Sequence, residues 1–110
     1  MILYRPVGET ELSLIKESDY RLFPPRLPEQ PIFYPVLNEQ YASEIAYKWN
    51  SKDGKKGYVT RFEIDDEYIS KFKVQTVGAL YHQEYWIPAE ELTEFNVHIK
   101  RAIEVIATFM

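Results

Sequence analysis

The segment 23–31 constrains the fold of this chain more than any other stretch, because four of its residues are proline. Proline lacks a backbone N–H donor and pushes the residue before it into an extended conformation, so the segment cannot form regular structure. With Phe23 and Leu27 it is also too apolar for a flexible linker. We therefore predict an ordered loop packed on the surface, and one interpretation places this loop over a pocket.

Short helices and strands alternate on both sides of this loop, as the apolar periodicity indicates. In chain order we predict a strand at 1–4, a helix at 9–17, a strand at 32–34, a helix from the N-cap Asn38 to Asn50, a strand at 58–64, a short helix capped by Asp65 or Asp66, strands at 73–77 and 84–87, a helix at 89–99 and a strand at 103–109. A chain of 110 residues falls within the usual size of one domain. The sequence thus predicts a single α+β domain over residues 1–110.

Two of these elements have the clearest patterns. Tyr41, Ile45 and Trp49 recur at helical spacing, which predicts an apolar stripe along the second helix. The stretch 58–64 alternates between two faces, which predicts a strand with one face buried and the other exposed. These two elements are the best-defined parts of the predicted fold.

Composition excludes several classes of function. The chain has no cysteine, so disulfides, thiolate metal sites and a cysteine nucleophile are absent, and its two separated histidines argue against a zinc site. The four glycines are scattered and form no phosphate-binding loop. A net charge of −4 argues against a broad nucleic-acid interface. Because no apolar run has the length of a membrane span, a cytoplasmic location is the expectation.

Four side chains are candidates for chemistry, and each has a plainer alternative. Glu84 lies in the aromatic run 81–88, where a carboxylate held over a ligand is one interpretation, although the alternating pattern alone favours an outward-facing residue. Arg5 fits either a phosphate clamp or an ion pair with a surface acid. Tyr34 fits a stacking surface or the core. His82 should share a face with Glu84, as a proton carrier or as a solvated side chain.

In this order the candidates resemble the ADP-ribosyltransferase family, which places an Arg or His on its first strand, a Ser or Tyr on a second strand that leads into a helix, and a Glu on a later strand. The matching residues are Arg5, Tyr34 and Glu84. The segments 23–38 and 84–106 also resemble bacterial proteins that carry the label "ADP-ribosylation/crystallin J1". The resemblance implies a small split sheet with peripheral helices.

The resemblance further implies a mono-ADP-ribosyltransferase or NAD glycohydrolase that consumes NAD as a substrate. Glu84, Arg5 and Tyr34 would be the catalytic residues, and Arg5, Tyr34, Tyr41 and His82 would bind NAD. The family members that modify arginine carry Gln or Glu where His82 stands, which argues against an arginine acceptor and leaves the acceptor open. The alternative is a non-catalytic module of the same fold that binds a nucleotide or a protein. A nucleic-acid-modifying member is a third hypothesis, and the acidic net charge counts against it.

Overall fold

The computed structural model describes all residues, 1–110, and contains four α-helices and seven strands. The helices are α1 (Glu9–Glu17), α2 (Glu39–Ile45), α3 (Asp66–Ile69) and α4 (Leu92–Val97). The strands are β1 (Ile2–Gly8), β2 (Ile32–Phe33), β3 (Gly57–Glu63), β4 (Val74–Thr76), β5 (Gln83–Tyr85), β6 (Ile87–Pro88) and β7 (Glu104–Phe109). The predicted mixture of helices and strands is confirmed in this coarse form, as a small domain with antiparallel sheets.

The largest sheet is antiparallel in the order β1-β3-β7, and a single residue extends it. Val36 exchanges both backbone hydrogen bonds with Tyr4 of β1 and also bridges to Glu84 of β5, which pairs with β4. The first strand, the segment after β2 and the strand of Glu84 are therefore neighbours in space. This adjacency brings distant parts of the chain to one site.

A second antiparallel ribbon joins residues 31–37 to residues 83–89. The pairs of β2 with β6 and the bridge from Val36 to Glu84 have the same register, and backbone hydrogen bonds at both ends continue it. In this register Tyr34 stands opposite Trp86. Because Pro35 offers no N–H donor, the ladder is interrupted there, while its carbonyl still accepts from the N–H of Tyr85.

The strand β3 is buried on one face, as predicted, whereas its second face is covered at Val59 and exposed at Arg61. Phe62 and Ile64 pack in the main core, whereas Val59 on the opposite face is completely buried in a smaller core with Ala42 and Ala46. The second face is covered at Val59 because α2 and the turn after it lie across the sheet. Small alanines allow this close packing of helix on strand.

The second helix departs from its predicted form at its end. Asn38 caps it as predicted, accepting from the N–H of Tyr41 at 2.8 Å, but residues 46–50 form a π-helical turn. A Cβ on Gly57 would lie 2.4 Å from the carbonyl oxygen of Ala46, so glycine is required where β3 passes under this turn. Within the predicted stripe, Tyr41 and Ile45 are half-buried and pack against the smaller core, whereas Trp49 is 68% exposed.

The proline-rich segment is an ordered loop, as predicted. Phe23 is buried in the main core, and the side chain of Asn96 donates to its carbonyl and accepts from its N–H, each at 3.0 Å. The loop is thus fastened to α4 at its start.

None of the helices combines the length and the apolar character that crossing a membrane requires.

Candidate functional site

An open cleft of about 670 Å³ lies between the sheet and the second helix. Buried Pro6 and Val36 contribute to its apolar wall, and Arg5 and Glu84 are its two charged residues. Its complete lining is Arg5, Pro6, Tyr34, Val36, Tyr41, Ile45, Trp49, Asn50, Glu84 and Trp86. A partly apolar concavity with few polar groups is the usual form of a small-molecule site.

The carboxylate of Glu84 is held in place by two donors. The hydroxyl of Tyr41 donates to its Oε1 and the indole Nε1 of Trp86 donates to its Oε2, both at 2.7 Å. Glu84 is only 8% exposed, so the interpretation as an outward-facing strand residue is wrong. It points inward because it bridges to Val36 in the middle of the joined sheets. Paired donors offset the cost of burying its polar group.

A relay of side chains continues behind Tyr41. Its ring stacks on His82, with 4.6 Å between centroids, and His82 Nε2 lies 3.5 Å from Glu44 Oε1. His82 Nδ1 accepts from the N–H of Ala79 at 3.1 Å, so a neutral ring carries its proton on Nε2, towards Glu44. Glu44 also accepts from the hydroxyl of Tyr81. The relay fixes the ring that holds Glu84.

The charges around the relay shift the ionisation of its members. Burial, together with the hydrogen bond to Glu84, raises the pKa of Tyr41, so its hydroxyl remains a donor into the alkaline range. The hydrogen bond from Tyr81 lowers the pKa of Glu44, and the same bond raises the pKa of Tyr81. All three shifts favour the protonation states that the hydrogen bonds require.

Arg5, the other charged residue of the cleft, is held by hydrogen bonds within the chain. Its Nε and Nη2 donate to the two oxygens of Glu11, at 2.7 and 2.9 Å, and its Nη1 donates to the carbonyl of Tyr34 at 3.3 Å. Its guanidinium also lies over the ring of Phe33, 4.6 Å from the centroid. A guanidinium has five N–H donors, so two remain for a ligand. The predicted pairing of Arg5 with an acid is confirmed, and Arg5 also lines the cleft.

Tyr34 and Trp86 form an aromatic edge of the cleft. They stand opposite each other in the ribbon of 31–37 with 83–89, and both are more than a third exposed. The alternative that placed Tyr34 in the core is therefore wrong. Asn50 adds a polar group, because its Oδ1 is enclosed and accepts no hydrogen bond within the chain. The cleft thus offers the flat apolar surfaces of Tyr34 and Trp86 to a ligand.

The cleft brings together most of the candidates predicted from sequence, because Arg5, Tyr34, Tyr41 and Glu84 all line it. His82 does not line it and contacts it through Tyr41. The sequence did not single out Glu11, Trp86 or Asn50 as site residues. Trp86 follows Glu84 at the strand spacing of two, which was an available signal, whereas nothing in the local sequence links Glu11 with Arg5.

No group of three or more His, Cys, Asp or Glu side chains is arranged to hold a metal ion. The chain matches no protein-family model, no curated protein and no solved structure. The cleft itself is therefore the basis for assigning a function.

Proposed function

We propose that the chain is an NAD-consuming enzyme, a mono-ADP-ribosyltransferase or an NAD glycohydrolase, with an ADP-ribosyltransferase-like fold. One observation carries the proposal: Arg5, Tyr34 and Glu84, which the resemblance selects from distant parts of the sequence, line the same cleft. Three residues chosen by motif alone have no physical reason to meet. Their convergence supports the idea that the motif marks a site.

In the proposed reaction the bond between the ribose carbon and the nicotinamide nitrogen breaks, and nicotinamide leaves with the bonding electron pair. The carboxylate of Glu84 accepts a hydrogen bond from a ribose hydroxyl and stabilises the positive charge that develops on the sugar. Because Tyr41 and Trp86 hold this carboxylate in advance, little reorganisation is needed as the charge develops. Water or an acceptor nucleophile then bonds to the same carbon and releases its proton.

The other residues of the cleft have binding roles in this proposal. Tyr34 and Trp86 present flat faces for the nicotinamide ring, and the guanidinium of Arg5 donates to the diphosphate.

A second candidate function is a non-catalytic module that binds a nucleotide or a protein. It is favoured by the internal pairing of both charged groups: Glu84 is bonded to Tyr41 and Trp86, and Arg5 is bonded to Glu11. Groups that satisfy one another can be a structural feature of a binding cleft as well as a prepared active site.

The two candidates are separated by the release of nicotinamide from NAD, followed by proton NMR over hours. We expect Glu84→Gln to slow release by about a hundredfold or more, because it removes the charge while keeping a similar shape. Glu91→Gln is the matched control, since Glu91 accepts a hydrogen bond from Tyr68 at 2.9 Å outside the cleft. Equal release by Glu84→Gln and the wild type would make the site assignment wrong. Binding of NAD without release would favour the module, and neither binding nor release would contradict both.

A further inference from the structure

The proline-rich loop contributes a guanidinium whose hydrogen-bonding capacity is unused. The side chain of Arg26 is only 12% exposed, and its Nε is enclosed without any partner. Its nearest acid is Glu11, where Nη1 lies 4.0 Å from Oε1, beyond hydrogen-bonding distance. A buried cation normally makes several hydrogen bonds, because losing those of water is costly. Arg26 is therefore an exception that calls for a partner.

Arg26 does not stand alone, since Glu11 lies between it and Arg5. The carboxylate of Glu11 is bonded through both oxygens to Arg5 and faces Arg26 at the longer distance. Two guanidiniums and one carboxylate leave a net charge of +1 in a chain whose total is −4. Burial, and then the charge of Arg5, lower the pKa of Arg26, which reflects a cation with too little compensation.

This group of charges adjoins the cleft through neighbouring cavities. Trp49 and Asn50 line both the main cleft and a cavity of about 560 Å³ along the first turn of α1. Glu11 and Gln30 line that cavity and also a smaller one under the proline-rich loop, of about 220 Å³, which Arg26 lines. The residues shared between these cavities thus lead along the first turn of α1 from the main cleft to Arg26.

We propose that Arg26 and Arg5 form a phosphate-binding site in which Glu11 occupies the position of the ligand's phosphate. A guanidinium binds phosphate and carboxylate oxygens with the same bidentate fork, so one carboxylate between two guanidiniums mimics an anion between them. A phosphate brings more negative charge than a carboxylate and satisfies the unused donors of Arg26. Only the identity of the molecule that carries this phosphate depends on the proposed function.

The proposal makes opposite predictions for the two kinds of variant. Removing Arg26 removes a ligand contact and weakens the binding of phosphate. Removing the charge of Glu11 removes a competitor and raises the local charge from +1 to +2, so it strengthens the binding of phosphate. If Glu11 merely supported the structure, its loss would not strengthen binding.

The test is titration of the protein with inorganic pyrophosphate at low salt, by calorimetry and by NMR of the arginine Nε–H groups. We expect Arg26→Gln to weaken binding about tenfold, with the exposed Arg21→Gln as the matched control. We expect Glu11→Gln to bind more tightly than Glu9→Gln, which removes the same charge from the same turn of α1. Thermal unfolding of each variant confirms that it is folded.

Three results would overturn the proposal: no pyrophosphate binding by the wild type, equal affinity of Arg26→Gln and Arg21→Gln, or Glu11→Gln no tighter than Glu9→Gln. A parallel titration with ADP-ribose identifies the source of the phosphate. If Arg26→Gln weakens ADP-ribose as much as pyrophosphate, the site takes the diphosphate of a dinucleotide. If ADP-ribose and pyrophosphate bind together, the site takes a phosphate of the acceptor. Pyrophosphate binding without any nicotinamide release would support this phosphate site and contradict only the proposed enzymatic activity.

Discussion

Two clusters in this molecule have nearly the same composition and different surroundings. The cleft cluster consists of Tyr41, Glu84, His82 and Glu44, and the helix cluster consists of Tyr68, Glu91, His98 and Glu94. In each, the tyrosine hydroxyl donates to a carboxylate, at 2.7 and 2.9 Å, and the tyrosine ring stacks on a histidine, at 4.6 and 4.1 Å between centroids. In each, the histidine Nε2 faces a further glutamate, at 3.5 and 3.1 Å.

The difference lies in what surrounds the tyrosine. Tyr68 is 3% exposed and packs its ring against Phe95 of the main core and against the half-buried Phe72. Tyr41 lines the open cleft, and its partner Glu84 receives a second donor from Trp86. A tyrosine–carboxylate pair with a stacked histidine is therefore not a site by itself. Open volume beside it, with Arg5 in the same cleft, is what makes the cleft cluster a candidate.

The largest expected difference between the clusters is in stability. Tyr68→Ala should lower the free energy of unfolding by about 3–5 kcal/mol, because it leaves a cavity among aromatic rings of the core. Tyr41→Ala should cost less than half as much, since its ring borders a space that is already open. Urea denaturation measures both values. Similar losses of stability in the two variants would mean that Tyr41 is a core residue, and the contrast between the two clusters would then disappear.

The structure around the cleft cluster also depends on one glycine, Gly57. Gly57→Ala should destabilise by about 1–3 kcal/mol, because its Cβ would overlap the carbonyl oxygen of Ala46 and displace the turn 46–50. Gly8→Ala is the control, since a Cβ there would lie 3.9 Å from its nearest neighbour. Amide chemical shifts should change around the cleft and remain unchanged at Tyr68. Chemical-shift changes around both clusters would mean that the structure of the helix cluster is not independent of the turn 46–50.

Alkaline pH should affect both clusters in the same direction. Burial raises the pKa of Tyr41 and of Tyr68, and the hydrogen-bonded carboxylate raises it further in each. Up to about pH 10, where unfolded tyrosine ionises, this contribution to stability is complete. At higher pH the unfolded chain loses protons that the folded chain keeps, so stability falls as the pH rises, by at most about 1.4 kcal/mol per unit for each tyrosine.

The size of this alkaline effect should differ between the two tyrosines. Tyr68→Phe should remove more of the slope than Tyr41→Phe, because solvent in the open cleft screens the charge near Tyr41. Urea denaturation between about pH 9 and pH 12 measures the slopes. A larger change for Tyr41→Phe would mean that solvent in the cleft does not screen the pair of Tyr41 and Glu84.

The smallest expected effect concerns the second donor on Glu84. Trp86→Phe should lower the free energy of unfolding by about 0.5–1.5 kcal/mol, because it removes the hydrogen bond from Nε1 and keeps an aromatic ring. Trp49→Phe is the control, since Trp49 is highly exposed and donates no hydrogen bond to Glu84. Urea denaturation compares the two variants. No difference between them would mean that this hydrogen bond contributes nothing to the stability of the fold.

Several elements were predictable because their causes are local. The helix at 9–17 has the predicted bounds, and Asn38 and Asp65 cap their helices through their own side chains. The proline-rich loop followed from the missing donors of proline. In contrast, residues 46–50 were predicted as ordinary helix, and their π-helical form depends on the passage of β3 beneath them.

The sequence by itself determined the α+β class, the positions of most elements and the identity of four residues that line the cleft, because periodicity, caps and motif order are properties of neighbouring residues. Only the tertiary structure decided that Glu84 faces inward, that Trp49 faces out and that Glu11 joins Arg5 to Arg26. The position of Glu84 depends on the bridges that Val36 makes to Tyr4 and Glu84, and the contacts of Glu11 depend on where α1 lies beside β1 and the proline-rich loop. Contacts between distant segments, and the burial they cause, cannot be read from the residues on either side of each position.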